Sequence, residues 1–260
     1  MSGGYTLITG ASSGLGAEFA KQLAAKGRNL VLVARRRDKL QALAETLRKQ
    51  HGITVVVIDA DLMLPGAAEQ IEAACRDQQL TIDGLINNAG IAGPDLLNDR
   101  DWTQQRDFFQ LMMTSVAEMC HRFMPAMAER GYGRVINVAS VAARIPRSGG
   151  CNYGPSKAYL VALSEELNLT LAKQGVHTTA LCPGFTHTDF HETAGLSDMK
   201  AGMPKWLWYG ADTVVRDALN GVEAGKPVVV SGRLYRFLDP LFQSVFTRRF
   251  FRIKARPDPA

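Results

Sequence analysis

Within "CNYGPSK", residues 151–157, a tyrosine and a lysine stand four positions apart, Tyr153 and Lys157. On a helix that spacing brings both side chains to one face. A phenol and an ammonium group so placed can exchange a proton with a reacting oxygen. The ammonium favours the phenolate, so it is expected to lower a phenol pKa that is ordinarily about 10. That would suit acid–base work at neutral pH. Pro155 is tolerated in a first helical turn, which puts the pair at a helix start. Tyr and Lys also meet at this spacing by chance, so the pair needs partners elsewhere in the chain.

A second stretch, "TGASSGLG" at 9–16, could hold a diphosphate. Gly10 permits a tight turn, and Gly14 and Gly16 permit close approach of the anion and close packing of helix on strand. The following helix start offers unpaired N–H groups and partial positive charge. Candidate contacts are therefore Gly10, Ser12, Ser13, Gly14, Leu15 and Gly16. A site for NAD places an acid about 20 residues further on, against the ribose hydroxyls. Here the sequence reads "VARRR", with Arg35, Arg36 and Arg37 and no acid before Asp38. Guanidinium groups suit a 2′-phosphate, which an acid would repel. NADP(H) is the expected cofactor, with Arg35 and Arg36 as its phosphate contacts; three solvated arginines opening a helix are the plain alternative.

The elements that must carry these residues alternate along the chain. "YTLITG", "NLVLVAR", "TVVVIDAD", "IDGLINNAG", "GRVINVAS", "VHTTALCPG" and "KPVVVSG" read as strands. Between them, helical spacing runs over 17–26, 36–50, 67–76, 101–129, 153–173 and 211–222, with Gly27 and Gly52 as stops. This order predicts an α/β chain, a doubly wound parallel sheet with helices on both faces. The ligand crevice of such a sheet lies at the carboxyl ends of its strands. Gly10, Asp61, Asn88, Ser140 and Pro183 each follow a strand and gather there.

With "TGASSGLG", "NNAG" and "YGPSK" in this order, the sequence resembles the short-chain dehydrogenase/reductase superfamily over nearly the whole chain up to Gly232. The resemblance implies a single Rossmann-fold domain. It makes Asp61 and Leu62 the adenine contact, and Asn88, Ala89 and Gly90 the turn against the adenosine. Pro183, Gly184, Thr186 and Thr188 become the nicotinamide turn. Ser140 would hydrogen-bond a substrate oxygen, Tyr153 would protonate it, and Lys157 would tune Tyr153 and hold the nicotinamide ribose. Many members carry an asparagine in the helix before the serine strand, where it holds a relay water; the position corresponds to Met112 here. A thioether is a weak acceptor and does not replace an amide.

At 260 residues and 46% hydrophobic content, the chain suffices for one large domain. The four cysteines are scattered, and no His, Cys or acid spacing supports a disulfide framework or a metal site. No signal-like start and no apolar run of roughly 18 residues occurs, so a cytoplasmic chain is expected. The net charge of +5 is concentrated near the end, and no nucleic-acid partner is expected.

The division expected is a domain over 1–232, with a lid at about 189–209, and an apolar, basic C-terminal extension over 233–260. The lid is rich in large apolar residues, including Phe190, Trp206 and Trp208. It suits a hydrophobic carbonyl or alcohol substrate, or else the tryptophans anchor the next helix. The extension could cap a substrate channel, pack in a homo-oligomer (dimer or tetramer), or make peripheral contact with a membrane surface. The function expected is NADPH-dependent carbonyl reduction or its reverse. The contrasting reading, favoured by Met112 alone, is a redox-sensing NADP(H)-binding protein with weak or no catalysis that acts through a protein or membrane partner bound by the extension.

Overall fold

The computed structural model describes residues 3–146, 151–187 and 208–251. Seven parallel strands form one sheet: β1 (Tyr5–Thr9), β2 (Asn29–Ala34), β3 (Val55–Asp59), β4 (Ile82–Asn87), β5 (Gly133–Val138), β6 (Val176–Cys182) and the edge strand β9 (Val228–Val230). A two-residue ladder pairs β7 (Thr186–His187) with β8 (Tyr209–Gly210). The order across the large sheet is β3-β2-β1-β4-β5-β6-β9. The direction of winding reverses between β1 and β4, and a crevice opens at their carboxyl ends.

The helices are α1 (Gly14–Ala25), α2 (Arg37–His51), α3 (Ala67–Asp77), α4 (Trp102–Phe109), α5 (Ser115–Glu129), α6 (Tyr153–Leu171), α7 (Ala211–Glu223) and α8 (Arg233–Gln243). Strand residues that alternate in sequence face opposite sides. Ile8, Leu30 and Leu32 pack with Phe19, Leu40 and Val215 on one side. Leu7, Val31 and Val33 pack with Ile71, Phe108 and Phe123 on the other. Near-continuous apolar strands are what a sheet covered on both faces requires. This is a single Rossmann-like domain.

The helix predicted over 101–129 is interrupted. A π-helical turn, Gln110–Thr114, joins α4 to α5, and the Ser115 hydroxyl donates to the Leu111 carbonyl at 2.8 Å. The wider turn shifts the face that this segment shows to the sheet. Such single π turns recur at functional sites.

One polar chain crosses the core beneath the strand ends. Asn87 and Asn137 are register partners in β4 and β5, so their side chains emerge on one face. Asn87 Nδ2 donates to Asn137 Oδ1 at 2.9 Å, and Asn137 Nδ2 donates to Ser164 Oγ at 2.9 Å. Ser164 Oγ donates in turn to the Leu160 carbonyl at 2.6 Å. The chain ties α6 to the middle of the sheet two turns beyond Lys157. Removing one member leaves a buried donor unpaired, so Ser164→Ala is expected to lower stability by about 1–3 kcal/mol in urea unfolding.

Candidate active site

The glycine turn fits an anion because it is packed tightly from beneath. A Cβ on Gly10 would fall 2.8 Å from Asn88 Nδ2, and one on Gly16 would fall 2.3 Å from the Gly10 carbonyl oxygen. Asn88 is the latch: its Nδ2 donates to the carbonyls of Thr9 and Gly10 at 3.0 and 3.2 Å. The Asn88 and Ala89 N–H groups both donate to Thr9 Oγ1, at 2.9 and 3.0 Å. The "NNAG" stretch therefore knots the end of β4 to the end of β1. With no room for a Cβ at Gly10 or Gly16, the turn and the start of α1 make a cradle suited to a dinucleotide diphosphate.

The three arginines separate in space. Arg36 lies over the cradle, with Nη2 donating to Ser12 Oγ at 2.9 Å and to Ser13 Oγ at 2.8 Å. Arg35 instead lies 3.7 Å from Asp61, and Arg37 pairs with Asp59 at 2.7 Å. The sequence names both Arg35 and Arg36, with Arg35 as the residue on which the NADPH assignment turns; the structure instead aims Arg36 at the turn. Asp61 also accepts from the Met63 N–H at 3.0 Å, and the Leu62 side chain beside it is buried.

On the other side of the crevice, Ser140, Tyr153 and Lys157 come together. Ser140 opens a short 3-10 turn, Val141–Ala143, and its Oγ accepts from the Ala142 N–H at 3.1 Å. Its hydroxyl hydrogen-bonds the Tyr153 phenol. Tyr153 begins α6 after the N-cap residue Asn152, and its own N–H donates to Cys151 Sγ at 3.3 Å. Lys157, one turn on, is 5% exposed and its Nζ donates to the Val138 carbonyl at 2.7 Å. That nitrogen lies 5.7 Å from the centre of the Tyr153 ring.

The electrostatics correct one expectation. The Tyr153 phenol is not lowered: burial pushes it up to about 12, against the Ser140 hydrogen bond and with Cys151 adding to the rise. Burial pushes the Lys157 ammonium down to about 8, with Cys182 acting in the opposite sense. Desolvation disfavours both charged forms, and Lys157 is directed at a backbone carbonyl. A neutral phenol of this kind is a proton donor, matched to an oxygen that gains negative charge.

Met112 sits in the π turn, 1% exposed. Its Sδ accepts from the Ile91 N–H at 3.4 Å, and a Cβ on Gly90 would lie 3.3 Å from that sulfur and 3.7 Å from Lys157 Nζ. The thioether and the lysine thus both pack against the Gly90 end of the "NNAG" turn. Of the remaining expected contacts, Thr186 is buried with Oγ1 donating to the Gly184 carbonyl at 3.0 Å. Pro183 accepts from the Val141 N–H at 3.0 Å, linking its turn to the Ser140 loop. Thr188, and the lid residues other than Trp208 and Tyr209, lie outside the described residues. Trp208 packs on Phe185 with ring centres 5.3 Å apart, which makes it an anchor.

Sequence reasoning missed two contacts. Asn152, next to Tyr153, donates to Gln105 Oε1 at 3.2 Å, and Arg144 pairs with Asp239. Neither carries a local signal, because the partners are 47 and 95 positions apart.

A glycine-turn cradle at a sheet reversal, facing a Ser–Tyr–Lys group on the next strand ends, defines the nucleotide-dependent oxidoreductase class within the α/β folds. The family model for short chain dehydrogenases matches residues 5–198, and the chain belongs to that family. It is an oxidoreductase, and its family uses a nicotinamide cofactor. It is 32% identical over 206 residues to the 3-oxoacyl-[acyl-carrier-protein] reductase FabG of Escherichia coli K12, covering 77% of this chain and 80% of that one. A short-chain dehydrogenase from Sphingobium yanoikuyae, solved in complex with NADPH, superposes with a TM-score of 0.80 at 31% identity, covering 99% and 98% of the two chains. A bulky-bulky ketone specific alcohol dehydrogenase from Comamonas testosteroni superposes with a TM-score of 0.78 at 28% identity, covering 100% and 98%.

Between Tyr153 near 12 and Lys157 near 8, only the lysine titrates in the working range. The value of kcat/KM for the cofactor reports the free enzyme. In carbonyl reduction it is expected to fall as pH rises through about 8, where Lys157 loses its charge. Lys157→Ala should remove that inflection along with most of the rate.

Proposed function

We propose that this chain reduces the carbonyl group of a hydrophobic small molecule with NADPH, or oxidises the corresponding alcohol in reverse. The observation that carries the reading is the assembly of Ser140, Tyr153 and Lys157 opposite the glycine turn. The cofactor, when bound, supplies the hydride. Gly10, Gly14 and Gly16 admit its diphosphate, Arg36 takes the 2′-phosphate, and Lys157 holds the nicotinamide ribose. Ser140 donates a hydrogen bond to the substrate oxygen and so orients the carbonyl. Tyr153 transfers its proton to that oxygen as charge develops there.

The choice of NADPH rests on Arg36, whose fork already meets both serines of the turn. The related Sphingobium enzyme was solved with NADPH, which supports the same choice here. Hydrophobic substrate preference is supported by the apolar lid sequence and by the ketone-specific Comamonas relative. A homo-oligomer is the assembly we expect, and the exposed side chains of Phe237, Leu241, Phe246 and Phe250 offer an apolar surface for a second copy. Light scattering after size exclusion tests it, and co-sedimentation with anionic vesicles would instead identify a membrane contact. Among the described residues no helix is long and apolar enough to cross a membrane.

NADPH and NADH oxidation across a panel of bulky ketones, aldehydes and 3-oxoacyl compounds tests the reaction. Turnover with NADPH on apolar ketones is expected, and no turnover with any carbonyl would refute the reading. Arg36→Ala should weaken NADPH about 10- to 100-fold, the scale of a lost charged hydrogen bond or two, and leave NADH nearly unchanged. Arg35→Ala should have the smaller effect on NADPH.

A further inference from the structure

We propose that Arg144 and Asp239 are positioning residues for Ser140: their ion pair holds the turn on which the serine hydroxyl stands. The inference rests on the reading of Ser140 as the donor to the substrate oxygen. The pair is bidentate, Arg144 Nε to Asp239 Oδ1 at 2.7 Å and Nη2 to Oδ2 at 2.5 Å. The side chains are 15% and 18% exposed, so the contact is largely sheltered from solvent screening. One turn further along α8, Gln243 Nε2 donates to the Arg144 backbone carbonyl at 3.3 Å. Helix α8 therefore grips Arg144 by both its side chain and its main chain.

From Arg144 the connection to Ser140 is short and made entirely of hydrogen bonds. The Arg144 N–H donates to the Val141 carbonyl at 2.9 Å, and the Ala143 N–H to the Ser140 carbonyl at 3.0 Å. The Ala142 N–H donates to Ser140 Oγ itself. The first turn of α6 rides on the same loop, since a Cβ on Gly154 would fall 3.0 Å from the Ala142 carbonyl oxygen. A displacement of Arg144 is thus passed to the hydroxyl and to the Tyr153 end of α6.

Helix α8 is a firm support for this grip. Tyr235 is buried against Gly184, where a Cβ would fall 2.1 Å from the ring, and the Leu234 N–H donates to Tyr209 Oη at 3.4 Å. Arg236 pairs with Asp217 of α7 at 3.1 Å. An ion pair taken out of water contributes little net stability compared with an apolar replacement. Its bidentate geometry does fix orientation. Placement of the turn, more than stability, is what this pair supplies.

Asp239→Asn keeps the shape of the side chain and removes its charge. In this variant kcat/KM for the ketone is expected to fall about 10- to 100-fold, with the NADPH Kd within about twofold of the parent. Amide exchange over 141–144 should quicken while that of the glycine turn stays unchanged. In a Ser140→Ala background the same substitution should change kcat/KM by less than about threefold, because the group it acts through is gone. Arg144→Lys, which keeps the charge and loses the fork, should give a smaller loss of the same pattern, and it carries the test if Asp239→Asn does not fold. Equal losses in the two backgrounds, or unchanged exchange at 141–144, would overturn the proposal. If the parent reduces no carbonyl at all, the functional reading fails, and exchange at 141–144 alone decides the positioning claim.

Discussion

The hydrogen bond from Lys157 to the Val138 carbonyl is the contact around which the site is arranged. An ammonium group almost out of water is costly unless paired, and here its partner is the last backbone carbonyl of a central strand. That partner is available only if α6 lies in one register against β5. The Ser164–Asn137–Asn87 chain sets that register from within the core. The same register brings Tyr153 to Ser140, one turn earlier on α6, and places both opposite the glycine turn. Burial of the lysine also makes its charge conditional on pH, whereas the half-buried Tyr153 keeps its proton because its phenol is desolvated.

Met112 shares this space and changes its character. An amide there could both donate and accept, whereas a thioether accepts weakly and otherwise fills volume. The π turn brings the sulfur to the Ile91 N–H, so one backbone donor of the loop after "NNAG" is satisfied. The thioether and the Lys157 ammonium both come close to Gly90, so the site leaves little room there for a side chain. Met112 is thus compatible with an intact Ser–Tyr–Lys arrangement, and the weak-catalysis reading gains no further observation in its favour.

Much of the fold was legible because its signals are local. Apolar runs such as "NLVLVAR" mark strands covered on both faces, and Gly52 ends a helix just where its backbone turns left-handed. The glycine turn and the Tyr153–Lys157 spacing are likewise written within a few residues. What escaped depends on distance or on medium. The sequence offers three adjacent arginines, and only the packed crevice distinguishes Arg36, above Ser12 and Ser13, from Arg35 beside Asp61. The direction of the Tyr153 shift followed burial, which no spacing rule reports. The interrupted helix at Gln110–Thr114 and the Arg144–Asp239 pair arise from tertiary packing and have no local mark.

The central claim is that the Tyr153 phenol delivers the proton to a substrate carbonyl in a site that binds NADPH independently of it. Single-turnover reduction of a bulky ketone by Tyr153→Phe, with NADPH binding followed by fluorescence on the same sample, tests that claim most directly. The account predicts NADPH affinity close to that of the parent and a reduction rate lowered by a factor of about 100 to 10,000, the usual contribution of general acid–base catalysis. A variant that binds NADPH and reduces the ketone at nearly the parent rate would contradict it.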